Sequence, residues 1–434
     1  MNASKDPPFH VLDEEGSTDL LVIAGEASGD EHAAHLIEEL LLRSPHLKVV
    51  SMGGARLQEA GSSALYDLTD HAVVGIFEVL RNLNFFRRLM KKTVNWIREN
   101  QPKVVMLVDY PGFNLRLANA LKDEGISRKG GGQVRVLQYV SPQLWAWKPQ
   151  RRFLMERVLD GLGVLFPFEV KCYADVDLPV SFVGHPFVSQ NYELPVRYLE
   201  DGPLLLLPGS RVQPVERILP PFLDAFEALS EDYPNLRAQI PVPDEGLRKL
   251  VGSIVGRCPC ADRVEVVEAT EGLSARAALM SSGTMSFACA LAGLPGVIAY
   301  KAHPITYWIG KCLVKIPHLG MANVLLPENP PYREFLQGAA NGRNLSSELA
   351  QIIDQPNART DAIEVSGKLK DILTQEEGRG AVDWLIEAGS LEGVVVICCQ
   401  RRKALCPRAD LQWSTSAIRD LRFSFAMSET SSML

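Results

Sequence analysis

Four short polar turns in this chain each follow an apolar run and carry residue types that bind anions or move protons. One lies in residues 204–211 (LLLLPGSR), where four leucines predict a buried strand and Gly209, Ser210 and Arg211 precede apolar positions at helical spacing. Free backbone N–H groups at a helix start attract anions, and an arginine adds a bidentate contact. The turn therefore predicts a phosphate site, although a plain strand-to-helix connection with a surface arginine fits the same eight residues.

The turn at residues 281–284 (SSGT) is of the same kind and opens a helix of small residues. Ser282, Gly283 and Thr284 combine hydroxyls with a flexible backbone, which suits phosphate or ribose oxygens. Two such turns in one half of the chain favour a nucleotide ligand. The sequence contains neither GxxxxGK[ST] nor GxGxxG, which disfavours ATP hydrolysis and hydride transfer.

Carboxylates stand after two predicted strands in the first half of the chain. Asp109 ends KVVMLVD beside a proline–glycine turn, which makes it a candidate general base. Glu26 and Asp30 flank Ser28 in the turn after DLLVIAG, and open α/β sheets bind ligands at the carboxyl ends of strands. Asp30 fits a helix N-cap equally well.

Alternating strands and helices predict the elements that position these turns, namely mostly parallel, doubly wound sheets. A chain of 434 residues is too long for one ordinary core and suits two domains of about 200 residues each. We expect five regions: a polar leader at 1–18, a first domain at 19–200, a second at 201–365, terminal helices at 366–388 and an irregular tail at 389–434.

Composition narrows the function classes. A hydrophobic content of 46% with 22% charged residues is typical of a globular protein, and a net charge of −7 disfavours nucleic-acid binding. No apolar run reaches the roughly 18 residues that span a bilayer, and the acidic start disfavours a signal peptide, so we expect a cytoplasmic protein. The eight cysteines show no zinc-like spacing, which predicts reduced thiols and no metal site.

Residues 77–92 predict an amphipathic helix with a basic face. Such a helix suits a membrane surface with anionic lipids, whereas an ordinary core-facing helix with a solvated basic face fits the same pattern. Phe85 falls outside the apolar stripe, which favours an exposed apolar patch. The candidate contacts are Phe77, Leu80, Leu83, Phe85, Phe86, Arg87, Arg88 and Met90.

Taken in order, AGEASGD, VVGIFEVL, VDYPGFN, QYVSPQLWAWKPQR, FVGHPF, LLPGSR, SSGT and REFLQ resemble the lipid-A-disaccharide synthase family of Gram-negative bacteria, over residues 19–388. The resemblance implies the GT-B architecture, in which two Rossmann-like domains face each other across a cleft and a terminal helix returns to the first domain. It implies transfer of diacylglucosamine from UDP-2,3-diacylglucosamine to 2,3-diacylglucosamine 1-phosphate, at the cytoplasmic face of the inner membrane. It implies no metal or other cofactor, and it allows a homo-oligomer.

The same resemblance implies roles for individual residues. Asp109 is preferred as the base or as the group that orients the acceptor, with Asp30 and Glu26 as competitors. Residues 77–92 become candidates for acyl-chain and membrane contact. Arg211 and the N–H groups after Gly209 would stabilise the leaving diphosphate. The expected substrate-binding residues are Ser28, Asn114, Gly209, Ser210, Arg211, Ser282, Gly283, Thr284 and Asn323, the last matching an asparagine of the family's P-N-L-L segment.

One position departs from the family pattern. The family usually carries a glutamate four residues after the threonine of its SGT turn, where GT-B enzymes commonly hold ribose hydroxyls, and this chain has Ala288. We expect donor binding to be weaker by about 1–3 kcal/mol if the ribose hydroxyls then lack partners. Two alternatives to the synthase remain open: a degenerate paralogue that binds nucleotide sugars, and another GT-B enzyme that acts on UDP-N-acetylglucosamine.

Overall fold

The computed structural model describes residues 9–10, 17–69, 83–189, 192–269, 272–302, 316–374 and 380–391. Phe77, Leu80 and the predicted tail beyond residue 391 lie outside these ranges, as do most of the predicted leader and residues 303–315.

The first lobe is built on a seven-stranded parallel sheet with the order β3-β2-β1-β4-β5-β6-β7. Its strands are β1 Leu20–Ala24, β2 Val49–Gly53, β3 Ser63–Asp67, β4 Val104–Val108, β5 Arg135–Tyr139, β6 Gly161–Val164 and β7 Val180–Phe182. Its α-helices are α1 Ala27–Arg43, α2 Ala55–Glu59, α3 Leu83–Asn100, α4 Pro111–Asp123 and α5 Arg151–Val158, with 3₁₀ turns at Arg128–Gly130, Pro167–Tyr173 and Pro186–Val188.

The second lobe is built on a six-stranded parallel sheet with the order β11-β10-β9-β13-β14-β15, and β8 pairs with β12 beside it. Its strands are β8 Val196–Tyr198, β9 Leu204–Leu207, β10 Ala238–Val242, β11 Val264–Glu268, β12 Leu273–Ala275, β13 Ala277–Met280, β14 Gly296–Tyr300 and β15 Arg333–Leu336. Its helices are α6 Val212–Asp232, α7 Glu245–Val255, α8 Thr284–Leu291, α9 Met321–Leu325, α10 Gly342–Asp354 and α11 Ala358–Leu373, with 3₁₀ turns at Ala261–Arg263 and Gln337–Ala339.

The central strands are continuous apolar runs because helices cover both faces of each sheet. All residues of β1 (LLVIA), β4 (VVMLV) and β9 (LLLL) are buried. In the first sheet the strand order reverses between β1 and β4, and in the second between β9 and β13. Ligands of doubly wound sheets bind in the crevice that opens outside the carboxyl ends at such a reversal.

The last helix of the described residues, α12 Ala381–Gly389, packs on the first lobe. Trp384 lies against Tyr139 with ring centroids 6.2 Å apart, and a Cβ at Gly163 would lie 3.1 Å from the indole. Arg135 Nη1 donates to the Ala388 carbonyl at 2.8 Å. In contrast Ser366, on α11, donates to Leu291 O of the second lobe at 2.6 Å, so α12 is the element of segment 366–388 that contacts the first sheet.

Candidate active site

The polar turns predicted in the first half meet at the strand reversal of the first sheet. Glu26 follows β1 and Asp109 follows β4, and these two strands are hydrogen-bonded neighbours. A Cβ at Gly29 would lie 3.8 Å from the Cβ of Asp109, which places the start of α1 directly beside this carboxylate. Ser28, in the first turn of α1, is half-buried.

The two predicted phosphate turns meet in the same way in the second lobe. Gly209 adopts a φ of 112° after β9, and a Cβ there would lie 3.4 Å from Ser281 Oγ, after β13. Helices α6 and α8 begin just behind these turns, so free backbone N–H groups of two helix starts lie at one edge. Ser210 is exposed, as are Gly283 and Thr284, whereas Ser282 is half-buried.

An ion pair joins the two lobes across the cleft between the strand reversals of the two sheets. Arg211 Nη2 donates to Glu26 Oε2 at 2.9 Å, and the two side chains are 67% and 33% exposed. Exposed ion pairs contribute about 0–1 kcal/mol, so a polyanionic ligand can displace Glu26 from the guanidinium. The pair therefore places a displaceable cation of the second lobe opposite the carboxylates of the first.

Burial and charge make Asp109 a suitable proton acceptor near neutral pH. The pKa of its carboxyl is raised to about 6, mainly by burial and secondly by the negative charge of Glu26, against the opposing effects of the Tyr110 backbone N–H and Arg211. A carboxylate with a pKa near the working pH combines ionisation with the basicity that proton transfer requires. Such perturbed carboxyls cluster at functional sites.

Asp109 stands on a strained turn. Asp109 and Tyr110 have φ values of 46° and 43°, and left-handed non-glycine residues of this kind cost of order 1–3 kcal/mol each. The Asp109 N–H donates to Tyr139 O at 3.1 Å. A Cβ on Gly25 would overlap the Tyr110 ring, so the glycine of AGEASGD leaves the space in which this ring lies.

Asn114, expected to bind substrate, is fully buried beneath this turn. Its Nδ2 donates to Asp109 O at 2.8 Å and to Val108 O at 3.1 Å. The amide donors of Asn114 are thus directed at the backbone of the Asp109 turn, and direct substrate contact by Asn114 stays a prediction.

Asp30 is likewise a buried side chain with backbone partners, only 3% exposed. Its carboxylate accepts from Gly54 N at 2.7 Å and from Arg56 N at 3.1 Å, and so ties α1 to the start of α2. Burial raises its pKa, whereas these N–H donors lower it. Asp30 does not compete as a base in this arrangement, because both oxygens are occupied and access to the cleft is lost.

Asn323, expected to contact the nucleotide, also lies fully buried. Its side chain donates to Tyr332 O at 2.8 Å and to Glu334 Oε1 at 2.7 Å, and it accepts from Tyr332 N at 3.0 Å. Glu334 in turn accepts from the N–H groups of Leu319 and Gly320, just before α9. Asn323 thus holds the backbone at 319–334 in place and makes no exposed contact.

Ala288 has no exposed surface on α8. A side chain at this position packs into the core with Phe287 and Cys289. Any ribose contact by this chain must therefore come from another residue.

The membrane-contact prediction is only partly covered by the described residues. Leu83 begins α3, and Phe85, Phe86 and Met90 are half-buried and pack against the core of the first lobe. The expectation that Phe85 forms an exposed patch is therefore wrong, since its ring lies edge-to-face on Phe86 at 5.7 Å. Arg87 is exposed and Arg88 half-buried, and no described helix is long and apolar enough to cross a bilayer.

Two buried residues near Asp109 escaped the sequence analysis. Glu169 is 3% exposed, accepts from Phe166 N at 3.2 Å, and burial raises the pKa of its carboxyl to about 8. Gln138 lies fully buried in β5. A polar residue inside the apolar run VRVLQYV is the signal that points to Gln138, because buried amides need specific partners.

In the described part of the chain no group of three or more His, Cys, Asp or Glu side chains could hold a metal ion.

Two doubly wound parallel sheets, joined by an ion pair between the turns at their strand reversals, define a GT-B-like fold. The structure of UDP-GlcNAc 2-epimerase from Neisseria meningitidis bound to UDP-GlcNAc shares this fold, with a TM-score of 0.52 over 86% of this chain and 98% of that chain at 13% identity. The predicted fold class is thereby confirmed.

The chain belongs to the lipid-A-disaccharide synthetase family, whose model matches residues 20–380. The lipid-A-disaccharide synthase of Coxiella burnetii is 35% identical over 366 residues, covering 82% of this chain and 94% of that protein. The corresponding protein of Geobacter sulfurreducens is 34% identical over 360 residues, covering 80% of this chain and 90% of its own. The resemblance read from the motifs is thus confirmed.

Proposed function

We propose that this chain is an inverting glycosyltransferase that joins UDP-2,3-diacylglucosamine to 2,3-diacylglucosamine 1-phosphate and releases UDP. The observation that carries the site assignment is the Arg211–Glu26 ion pair, 2.9 Å long, because it sets a cation of one lobe opposite the carboxylates of the other. Inversion needs this opposition, since the acceptor hydroxyl approaches the anomeric carbon from the face opposite the departing diphosphate.

In the proposed reaction, the acceptor 6-hydroxyl forms a bond to the anomeric carbon while the bond from that carbon to the diphosphate oxygen breaks. The hydroxyl proton passes to the Asp109 carboxylate, and UDP departs with the electron pair of the broken bond. Arg211 and the backbone N–H groups at the starts of α6 and α8 stabilise the charge that develops on the diphosphate. Glu26 loses its cation when the diphosphate binds Arg211.

Ser210, Ser282, Gly283 and Thr284 are the proposed nucleotide contacts, because they line the edge where both helix starts lie. Half-buried Ser28 is the proposed contact on the acceptor side. The buried position of Ala288 supports a donor site that does not use the family glutamate, so weak donor binding alone does not indicate a degenerate paralogue.

We propose a peripheral position at the cytoplasmic face of the inner membrane, because both substrates carry acyl chains. The exposed cations Arg87 and Lys91 on α3 support attraction to anionic headgroups. Vesicle sedimentation with and without anionic lipid tests this placement. Binding that is insensitive to Arg87→Glu and to salt contradicts it.

The deciding experiment incubates purified protein with both acylated substrates in detergent micelles and identifies the products by mass spectrometry. We expect disaccharide 1-phosphate and UDP in equal amounts from the wild type, and a fall in product formation of about 10²- to 10⁴-fold with Asp109→Asn. Arg211→Ala is expected to weaken UDP binding in calorimetry. A folded protein that binds UDP without forming disaccharide would support the degenerate paralogue, and equal turnover of non-acylated UDP-N-acetylglucosamine would support the other GT-B activity.

A further inference from the structure

Two buried side-chain amides hold the turn that carries Asp109. Gln138 has no exposed surface, and its Nε2 donates to the carbonyl oxygens of Asp109 and Val140, each at 3.2 Å. Asn114 Nδ2 donates to the same Asp109 carbonyl at 2.8 Å. One carbonyl thus accepts from two amides that belong to different elements, β5 and α4.

Both backbone segments that Gln138 contacts are strained. Asp109 and Tyr110 lie in the left-handed region, and Val140, a β-branched residue, has a φ of 70°. Left-handed β-branched residues are genuine outliers, and such strain persists only where surrounding contacts over-determine the conformation. A single glutamine side chain connects both strained segments, because its donors reach Asp109 and Val140.

Stability of the fold alone does not account for these amides. Gln138 Oε1 and Asn114 Oδ1 are buried and have no hydrogen-bond partner among the residues that the structure describes. A leucine in β5 would fill the space without burying an unpaired side-chain oxygen, but it would remove the amide donor from the Asp109 and Val140 carbonyls. Buried polar groups of this kind, next to a strained turn, are typical of functional sites.

We propose that Gln138 is a positioning residue, which holds the Asp109 turn in the conformation that directs the carboxylate at the acceptor hydroxyl. It acts through the backbone and touches no substrate, because its side chain is fully buried. The inference rests on the proposed function, since it takes Asp109 as the base.

The first test replaces the amide by an apolar chain of similar length, in Gln138→Met. We expect kcat to fall about 10- to 100-fold, as for misplacement of a catalytic group by about 1 Å, with KM for both substrates and UDP affinity changed less than about twofold. The acid limb of the pH profile is expected to move to lower pH, because a released turn exposes the Asp109 carboxylate to water.

Ile97→Val is the matched control. Ile97 is fully buried on α3 in the same lobe, so its replacement is expected to lower stability without affecting the Asp109 turn. We expect it to leave kcat and the acid limb unchanged. A second variant, Gln138→Asn, keeps the amide but withdraws it by one methylene. Its kcat is again expected to fall with KM nearly unchanged, and it replaces Gln138→Met if that variant fails to fold.

A double-mutant cycle separates positioning from a general effect on the fold. If Gln138 acts through Asp109, then Gln138→Met lowers kcat no further in the Asp109→Asn background. A second full loss in that background overturns the inference. If folded Gln138→Met keeps the wild-type kcat and acid limb while Asp109→Asn is impaired, the inference about Gln138 is wrong and the proposed function stands. If Asp109→Asn turns over normally, the assignment of Asp109 as the base is wrong as well.

Discussion

Replacing Asp109 by asparagine is expected to stabilise the folded protein while removing its transfer activity. The carboxyl has a pKa of about 6 in the folded protein against an ordinary value of 3.8. A difference of about 2 units corresponds to about 3 kcal/mol by which folding disfavours the ionised form. The asparagine amide has the same shape, carries no charge, and its oxygen can accept the Tyr110 N–H that the carboxylate accepts.

The pH dependence follows from the sign of this shift. Well below pH 3.8 the carboxyl is protonated in both the folded and the unfolded chain, so wild type and Asp109→Asn are expected to be equally stable there. Between pH 3.8 and pH 6 the unfolded chain ionises while the folded protein keeps its proton, so the wild type loses stability relative to the variant across this range, and the difference is level above pH 6. At pH 8 the variant is therefore expected to be more stable by up to about 3 kcal/mol, which raises Tm by several degrees.

Thermal unfolding at pH 4.5, 6 and 8 measures the difference, and product formation is expected to fall about 10²- to 10⁴-fold at pH 8. Asp177→Asn is the control, because Asp177 is an exposed aspartate of the same lobe and is expected to show no comparable gain. A variant that is no more stable than wild type at pH 8, or one with an equal gain at every pH, refutes the reasoning that burial of Asp109 raises its pKa.

Three other substitutions test the surroundings of this carboxylate. Glu26→Gln removes a negative charge that raises the pKa of Asp109, so the acid limb of the pH–rate profile is expected to move to lower pH. An unchanged acid limb would show that the charge of Glu26 does not affect the Asp109 carboxyl. Asp30→Ala removes the carboxylate partner of the Gly54 and Arg56 N–H groups, so the free energy of unfolding is expected to fall by about 1–3 kcal/mol while kcat at a permissive temperature stays within about threefold. A loss of kcat without a loss of stability would restore Asp30 as a candidate base. Gly25→Ala forces the Tyr110 ring to move, so kcat is expected to fall while the UDP affinity measured by calorimetry is retained. Normal turnover would show that this ring does not hold the Asp109 turn in place.

The sequence alone predicted the parts of the site that depend on the order of strands and turns. A run such as LLLL is buried because both faces of a parallel sheet are covered, and the turn after it must lie at the carboxyl edge. Glu26, Asp109 and Arg211 were found for this reason. Their positions follow from where strands end, which hydrophobic patterning shows.

The direction of a side chain is not encoded in such a pattern. Asp30, Asn114 and Asn323 lie in matching motifs, yet each donates to or accepts from backbone groups that the turns leave unpaired. A polar residue next to a strained turn serves either the ligand or the backbone, and only the folded geometry distinguishes the two. Phe85 was misassigned for a related reason, since helical periodicity does not reveal a second packing surface beside the main stripe.

The contact of α12 with the first lobe has a consequence for biosynthesis. The strands of the first lobe are complete once Phe182 has emerged from the ribosome, whereas Ala381 begins the helix that covers Tyr139 and Gly163 about 200 residues later. At 5–20 residues per second the delay is roughly 10–40 s. During that interval the nascent first lobe presents an uncovered apolar face, which makes it a natural client for ribosome-associated chaperones.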